Sequence, residues 1–585
     1  MTTTPLTPAE PPELGVSPTP LPVPEDFPVE WPDPADEGRL WMRDRMHWPD
    51  PVTPLAFSMM EAAFPGGLMA AARALSAPLG DLGLRRINTY FYMGAAPPPP
   101  APPEEMAAAG ARSEAALEAA MARLRDDWER EYLPEIHMHL AAWEAFDLPG
   151  ATMSELLAHL DDTLARFTRL MELHFLAVFP AYVALSELDE FHRQERALAT
   201  GAFDAYRLVA GIPNKTVEVG HALWQLSRTV REQPRVLSTL VSRWPTTADA
   251  LAALADTSEG AAFLVLLRRY LEDYGQRGDK FFDLERPAWI EDPSPVLDRL
   301  RAYVAQPDEE DPARAQQELA AEREQARVRV RQELAAGPPE ARDRFEFLLA
   351  AASTGVVISE DHGFWIDFRA AYKVRRVLSE LGWRLVPAAI NVPTDVVFLT
   401  LDELVETATA ERTPDRRTLV EARRAEMAHF AAIRPPEQLG TPLPPPPPGL
   451  PPDRFMRSMG KFNGRTYGAP EPDAPARDPA VVTGHPGSPG TVRGVARIIR
   501  NLDDAGRLEP GDVLVAETTT PPWTPLFATL AAVVTDTGGI LSHCAVVARE
   551  YGMPAVVGTG DGTDRIPDGA VVEVDGDAGV VRIVG

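Results

Sequence analysis

One histidine near the end of the chain has the surroundings that nucleophilic phosphoryl chemistry requires. Residues 531–559 read AAVVTDTGGILSHCAVVAREYGMPAVVGT. An apolar run of strand length (531–534) leads into Thr535, Asp536, Thr537, Gly538 and Gly539, a turn that needs the conformational freedom of glycine. Ser542 stands where a helix N-cap belongs, and 543–551 has helical character ended by Gly552 and Pro554. His543 therefore falls in the first turn of a short helix, where free amides and the positive end of the helix dipole face the imidazole. Those donors disfavour imidazolium, which leaves a neutral ring with a nucleophilic nitrogen. They would also stabilise a phosphoryl group once attached. Thr535, Thr537, the Gly538 and Gly539 amides and Ser542 are the expected phosphoryl-binding groups. The bland alternative is a capped core histidine, and the glycine pair in a strand–turn–helix context favours chemistry.

This stretch resembles the phosphohistidine signature of the mobile, swivelling domain of phosphoenolpyruvate-utilising enzymes, a group that includes phosphoenolpyruvate synthase, pyruvate phosphate dikinase, rifampicin phosphotransferase and phenylphosphate synthase. The likeness extends upstream to GHPGSPGTVRGVARII (484–499) and TTTPPWTPLF (518–527), so it covers essentially all of 479–585. It implies that His543 carries a phosphoryl group between two active sites. Cys544, the single cysteine, sits beside it. Adjacent helix positions project about 100° apart, so the two do not form a nucleophile pair, and Cys544 reads as a packing residue.

The helical part holds a second set of candidates. GIPNKTVEVGHALWQL (211–226), LEDYGQRGDKFFDLERPAWIEDP (271–293) and EDHGFWIDFRAAYKVRRVLSELGWRLV (360–386) resemble, in spacing more than identity, the substrate-handling domain of rifampicin phosphotransferase and phenylphosphate synthase. In the second, Gln276 stands where relatives often have histidine. Arg277 either clamps a phosphoryl or substrate oxyanion or caps the preceding helix. Lys215 either contacts phosphate or is an exposed loop lysine. Glu360, Asp361 and His362 form an acid/base cluster that could activate a substrate hydroxyl, with plain surface charge as the alternative. No metal site is expected within the chain: His137 and His139 are two apart, on opposite faces of a helix, and His159, His174, His192 and His221 lack a partner at i+4.

The elements that must position these groups follow from composition and pattern. With 585 residues, 45% hydrophobic and 24% charged, the chain has length for several domains and ample core. A net charge of −29 argues against nucleic-acid or anionic-membrane partners. One cysteine excludes an intrachain disulfide and fits a reducing, cytoplasmic setting. No targeting segment and no membrane-length apolar run is visible. The expected fold is multidomain α+β: a large, mostly α-helical substrate domain followed by a C-terminal β/β/α swivelling phosphohistidine domain. In order, 1–26 reads as disordered, 27–103 as an aromatic- and proline-rich segment laid over the helical domain, 104–434 as helical, 435–477 as a proline-rich linker and 478–585 as the swivelling domain. Helices are predicted over 106–132, 153–195, 218–232, 235–254, 261–274, 311–336, 368–381 and 400–433.

A donor site is the missing part. No GxxxxGK loop occurs, and the pattern leaves no room for a β/α barrel. The resemblance to phenylphosphate synthase implies ATP and Mg2+ bound by a separate ATP-grasp subunit, none being held tightly here. The expected activity is transfer of the phosphoryl from His543 to a hydroxyl of a small, apolar or aromatic substrate. Alternatives are a phosphorylation-coupled dehydratase or lyase, or a non-catalytic binding protein that keeps a degenerate swivel domain.

Overall fold

The computed structural model describes residues 19–77, 79–96, 101–195, 201, 203–442, 453–464 and 478–584. Trp41, Tyr90 and Tyr92 put their rings on one face of a small antiparallel sheet, whose other face buries Leu84 and Phe91 in the helical core. It is built from β1 (Leu40–Arg43), β2 (Leu82–Ile87), β3 (Tyr90–Ala95) and β4 (Gln438–Gly440), in the order β2-β3-β1-β4. The hairpin between β2 and β3 turns at Asn88 and Thr89, both with positive φ. Segment 27–103 is thus a sheet plus one buried helix, α1 (Pro54–Ala74), rather than an extended strap.

The helical body is assembled around α2 (Met153–Glu195), whose boundaries match the apolar periodicity of the sequence. Two large apolar cores lie along it, one with α1 and the other with α5 (Pro339–His362). Between them in the chain come α3 (Lys215–Arg231) and α4 (Ser258–Tyr274), which share a third core. Gly363–Ala370, directly after α5, is a π-helical stretch, and α6 (Ala371–Leu385) continues from it. Two predicted long helices are each divided in two: Pro234–Val241 with Thr247–Ala255, and Leu401–Thr409 with Arg417–Ala431. In each pair the second helix, or the first, opens on a threonine capping box, Thr246 with Asp249 and Thr400 with Glu403.

The 435–477 stretch corrects the linker expectation in two places. Residues 438–440 pair with β1 as an edge strand. Arg454–Asn463 is a helix, α7, capped by the Asp453 side chain at its start and by left-handed Gly464 at its end. It buries Phe455 against α2, and its basic groups pair with acids there: Arg457 with Glu190 at 3.1 Å and Lys461 with Asp189 at 2.8 Å. Residues 443–452 and 465–477 lie outside the described residues, as do 1–18 of the N-terminal run expected to be disordered. Residues 19–26 of that run are placed, with the Leu21 amide donating to the Gly440 carbonyl at 2.7 Å.

The C-terminal domain is one eight-stranded sheet folded into two limbs, in the order β5-β12-β11-β7-β8-β9-β10-β6. β5 (Val481–Thr483), β12 (Val580–Ile583), β11 (Val571–Asp575) and the first half of β7 (Thr491–Ile498) are antiparallel. The second half of β7, β8 (Val513–Ala516), β9 (Ala532–Thr535) and β10 (Ala555–Val557) are parallel, and β6 (His485–Ser488) closes the edge. Alternation sorts the parallel strands between two layers. Val513, Val515, Ala532, Val534 and Val556 face the antiparallel limb, whereas Leu514, Ala516, Val533 and Val557 face the helix α8 (His543–Glu550). The β/β/α layering is therefore the one the sequence suggests.

Two helices, Pro54–Ala74 and Met153–Gln194, reach the length and hydropathy of a membrane span, but 44% and 78% of those segments are covered by the protein itself.

Candidate active site

His543 is the first residue of α8, reached from β9 by a turn whose polar groups are almost wholly committed. The Asp536 carboxylate, buried, accepts from the Thr559 hydroxyl at 2.8 Å and the Thr563 amide at 3.1 Å, tying the turn to the next strand and helix. Thr535 donates its hydroxyl to the Thr537 carbonyl at 2.9 Å, and Thr537 donates to the Glu517 carbonyl at 3.0 Å. Gly538 takes φ +89°, which only glycine adopts without strain. The Gly539 amide donates to the Phe462 carbonyl of α7 at 2.8 Å, and the Leu541 amide donates to Lys461 at 3.2 Å. The expectation that Thr535, Thr537 and Gly539 present free donors to a phosphoryl group is thus corrected for this docked arrangement. Two hydroxyls and one amide are spent on carbonyls, the last of these supplied by a helix the sequence did not reveal. Ser542 occupies the N-cap position without a side-chain capping bond, and its Oγ is buried with no hydrogen-bond partner. Arg549, nearly two turns along α8, reaches back to the carbonyls of Ile540 at 2.9 Å and Gly487 at 2.7 Å.

The imidazole is held across the domain boundary. Glu360, two residues from the end of α5, places Oε2 at 2.9 Å from His543 Nδ1. Its side chain is 2% exposed and that of His543 16%. A carboxylate accepts only, so Nδ1 carries the proton and Nε2 keeps its lone pair. Nε2 lies 3.4 Å from the Thr524 hydroxyl. Orientation by a carboxylate, beyond the helix dipole alone, sets which ring nitrogen is left free for chemistry. Glu360 is thus committed to His543 in this arrangement rather than free as a general base.

Its neighbours on the chain are dispersed. Asp361 accepts from the Lys215 amide at 2.7 Å, and burial pushes its carboxyl up to about 7. Lys215 sends its ammonium to Glu218 at 2.9 Å, above the rings of Phe364 and Trp365 at 5.7 Å. It is the first residue of α3, N-capped by Asn214, rather than a loop lysine. Burial, and then the adjacent His174, pull the His362 ring down to about 4. Arg277 is 3% exposed, its guanidinium 4.6 Å from the Trp289 ring and 5.5 Å from Phe368. Its Nε and Nη2 have no hydrogen-bond partner, and burial lowers it to about 10. It does not cap α4, whose C-cap is Gly275. The Gln276 side chain accepts from Arg369 at 3.2 Å.

An interdomain cleft opens beside this contact, with a cavity volume of about 90 Å³. His47, Trp48, Phe281 and Phe282 line it from the N-terminal segment and helical body, and Thr518, Thr520 and Trp523 from the C-terminal domain. Trp523 immediately precedes Thr524, the residue that meets His543 Nε2. Further bonds hold the walls of the cleft together: Arg45 to Glu517 at 2.6 Å, Thr518 to the Met46 carbonyl at 3.2 Å and Arg286 to Asp503 at 2.9 Å. On the other flank of α8, Gly211 donates its amide to Glu550, a carboxyl that burial pushes up to about 7.

The expectation of no metal-ligand group meets one exception. His174, His362 and Asp367 bring one donor atom each within 4.8 Å of one another. Spacing rules miss it because His174 comes from α2, and because His362 and Asp367 are five apart. The π-helical turn, with its wider spacing, lays residues five apart on one side. Asp367 is held below the usual carboxylate range: burial opposes this, but His174, then His362 and His47, outweigh it.

A carrier domain with one histidine at a helix start, docked by that histidine onto a carboxylate of a helical body, defines a phosphohistidine-type swivelling protein. Comparison places it more closely. Residues 508–579 match the PEP-utilising enzyme mobile domain, and residues 174–360 match the rifampicin phosphotransferase fourth domain. The C-terminal domain is a mobile domain of the PEP-utilising enzymes. The chain is 39% identical over 579 residues to chondramide synthase cmdD of Chondromyces crocatus, across 96% of its own length and 14% of that protein. It is 29% identical over 413 residues to the uncharacterized phosphotransferase YvkC of Bacillus subtilis, covering 71% of this chain and 47% of the relative. With the rifampicin phosphotransferase of Streptomyces sviceus it shares 30% identity over 384 residues, 63% of this chain and 40% of the relative. The chain therefore spans less than half the length of each of these relatives.

Proposed function

We propose that this chain is the carrier-and-acceptor part of a dikinase-type phosphotransferase. ATP, held with Mg2+ by an ATP-grasp partner, is attacked by His543 Nε2. The Nε2–P bond forms on the β-phosphoryl as its bond to AMP breaks; water then cleaves the β–γ bond of the pyrophosphoryl adduct, so that phosphate leaves and one phosphoryl stays on Nε2. The C-terminal domain then swivels on the connection that follows Gly464 and returns to the helical body. There a hydroxyl of a small apolar or aromatic molecule attacks phosphorus, the P–N electron pair returns to Nε2, and a carboxylate takes the hydroxyl proton. Asp361 is our candidate for that base, and Arg277, buried with free donors, for a substrate oxyanion. The aromatic walls of the cleft, Trp48, Phe281, Phe282 and Trp523, support an apolar acceptor.

The observation that carries this reading is the 2.9 Å contact between His543 Nδ1 and Glu360. It fixes the imidazole tautomer at the interface with the half of the chain that resembles a substrate-handling domain. In-line transfer needs such positioning and exclusion of water more than covalent help from the protein. The test is intact-mass measurement after incubation with ATP, Mg2+ and candidate ATP-grasp proteins. Wild type gains one acid-labile phosphoryl group and His543→Ala gains none. An adduct that persists in His543→Ala overturns the assignment.

A further inference from the structure

We infer that His174, His362 and Asp367 form a binding site for one divalent first-row transition-metal ion, of the two-histidine, one-carboxylate kind that leaves coordination positions open. The site stands apart from the phosphoryl-transfer reading and is tested without it.

The argument begins with proton positions. His362 Nδ1 lies 2.6 Å from the Ile358 carbonyl, which can only accept, so the ring proton is on Nδ1. Nε2 then presents a lone pair. What it faces is Asp367 Oδ2, a second electron-rich atom, at 3.6 Å. Two lone pairs opposed inside a buried site are a repulsive arrangement unless a proton or a metal ion lies between them. The backbone bond to Ile358 is also the outer-shell contact that metal-ligating histidines ordinarily make, fixing the tautomer and aiming the free nitrogen.

The third ligand completes the geometry. His174 Nδ1 is 3.0 Å from Asp367 Oδ1, and the two imidazoles stand perpendicular with centroids 4.6 Å apart. Ligands about 2.1 Å from one ion are separated by about 3.0–3.5 Å, close to the 3.0 and 3.6 Å seen here. With Nδ1 on a metal, His174 carries its proton on Nε2. Imidazole with carboxylate suits zinc, iron, cobalt or nickel better than magnesium or calcium, which prefer all-oxygen shells. The supports are rigid: α2, the last residue of α5 and the π-helical turn that follows. A route exists as well, because Asp367 borders a small cavity with Lys280, Phe282, Asp283 and Arg286, all of which also line the interdomain cleft.

The experiment uses the full chain free of any affinity tag. Protein is stripped with chelator, re-equilibrated with Zn2+ or Co2+, passed through a desalting column and assayed for metal by mass spectrometry. We expect about one ion per chain, and with Co2+ the visible d–d absorption of a low-coordinate nitrogen–oxygen site. Asp367→Asn, nearly isosteric, and His362→Gln should each lower retained metal at least tenfold, while His137→Ala and His221→Ala leave it unchanged. Circular dichroism reports whether each variant is folded. Wild type that retains less than about a tenth of an ion, or folded Asp367→Asn that retains as much as wild type, overturns the assignment.

Discussion

Replacing Glu360 with glutamine keeps the size of the side chain and removes its charge. The group it serves, His543 Nδ1–H, sits 2.9 Å away, with the two side chains 2% and 16% exposed. Water screens this contact little. A hydrogen bond to a charged acceptor contributes about 1.5–3 kcal/mol and a neutral one about 0.5–1.5, so the substitution removes about 1–2 kcal/mol. The loss falls on one half of the proposed cycle. While the phosphoryl departs from Nε2, the carboxylate holds the proton on Nδ1, so that neutral imidazole rather than imidazolide is the leaving group. At about 1.4 kcal/mol per tenfold, discharge to the acceptor should slow by about 5- to 30-fold. Charging by the ATP partner requires the domain to be elsewhere, away from Glu360, and should be unaffected. Rapid-quench single turnovers measure both: formation of phosphoprotein with ATP and partner, then its decay on mixing with acceptor. Equal slowing of the two halves, or no slowing of the second, refutes the positioning role.

Other expectations follow from the same geometry. Glu550 has its carboxyl raised by burial from its ordinary value to about 7, so the folded chain retains a proton there that the unfolded chain has lost. This costs stability as pH rises from about 4.5 to 7, at up to about 1.4 kcal/mol per pH unit. Glu550→Gln should therefore raise the melting temperature more at pH 8 than at pH 5, and an equal gain at both would count against it. Gly539→Ala would drive a Cβ into the Lys461 carbonyl, so the Gly539 and Leu541 amides should lose protection in hydrogen exchange by at least tenfold, with the eight-stranded sheet unaffected. Asp536→Ala leaves the Thr559 hydroxyl and Thr563 amide without their buried acceptor. It should destabilise the C-terminal domain by about 1–3 kcal/mol in urea titration.

Local order explains what could be read in advance. His543 was legible because the elements that carry it, from Ala532 to Glu550, are contiguous: a strand, a glycine turn and a helix. The two limbs of the C-terminal sheet follow likewise from strict apolar runs. Glu360 was legible as a charged candidate but not in its role, since its partner lies 183 residues away. Helix α5 itself escaped notice. Phe345, Leu348, Leu349, Ala352 and Val356 do recur at helical spacing, but Thr354, Val356, Val357 and Ile358 are β-branched and blur the pattern. The three ligand candidates could not be assembled from spacing at all, because a π-helical turn breaks the rule that would find them. Thr535 and Thr537 were misjudged for the opposite reason: their hydroxyls had nearby backbone carbonyls to satisfy before any ligand.

The helix Arg454–Asn463 changes the arithmetic of how far the carrier can travel. It is clasped to α2 by ion pairs and lies halfway along what the sequence offered as one continuous leash. As long as that clasp holds, only residues 465–477 separate a fixed post at Gly464 from residue 478, where the C-terminal domain begins. Drawn out to its limit, such a span reaches no more than about 50 Å. Any nucleotide site that charges His543 must then lie within that reach of Gly464 plus the fixed distance from Asp478 to His543 inside the domain, which bounds where a partner can sit.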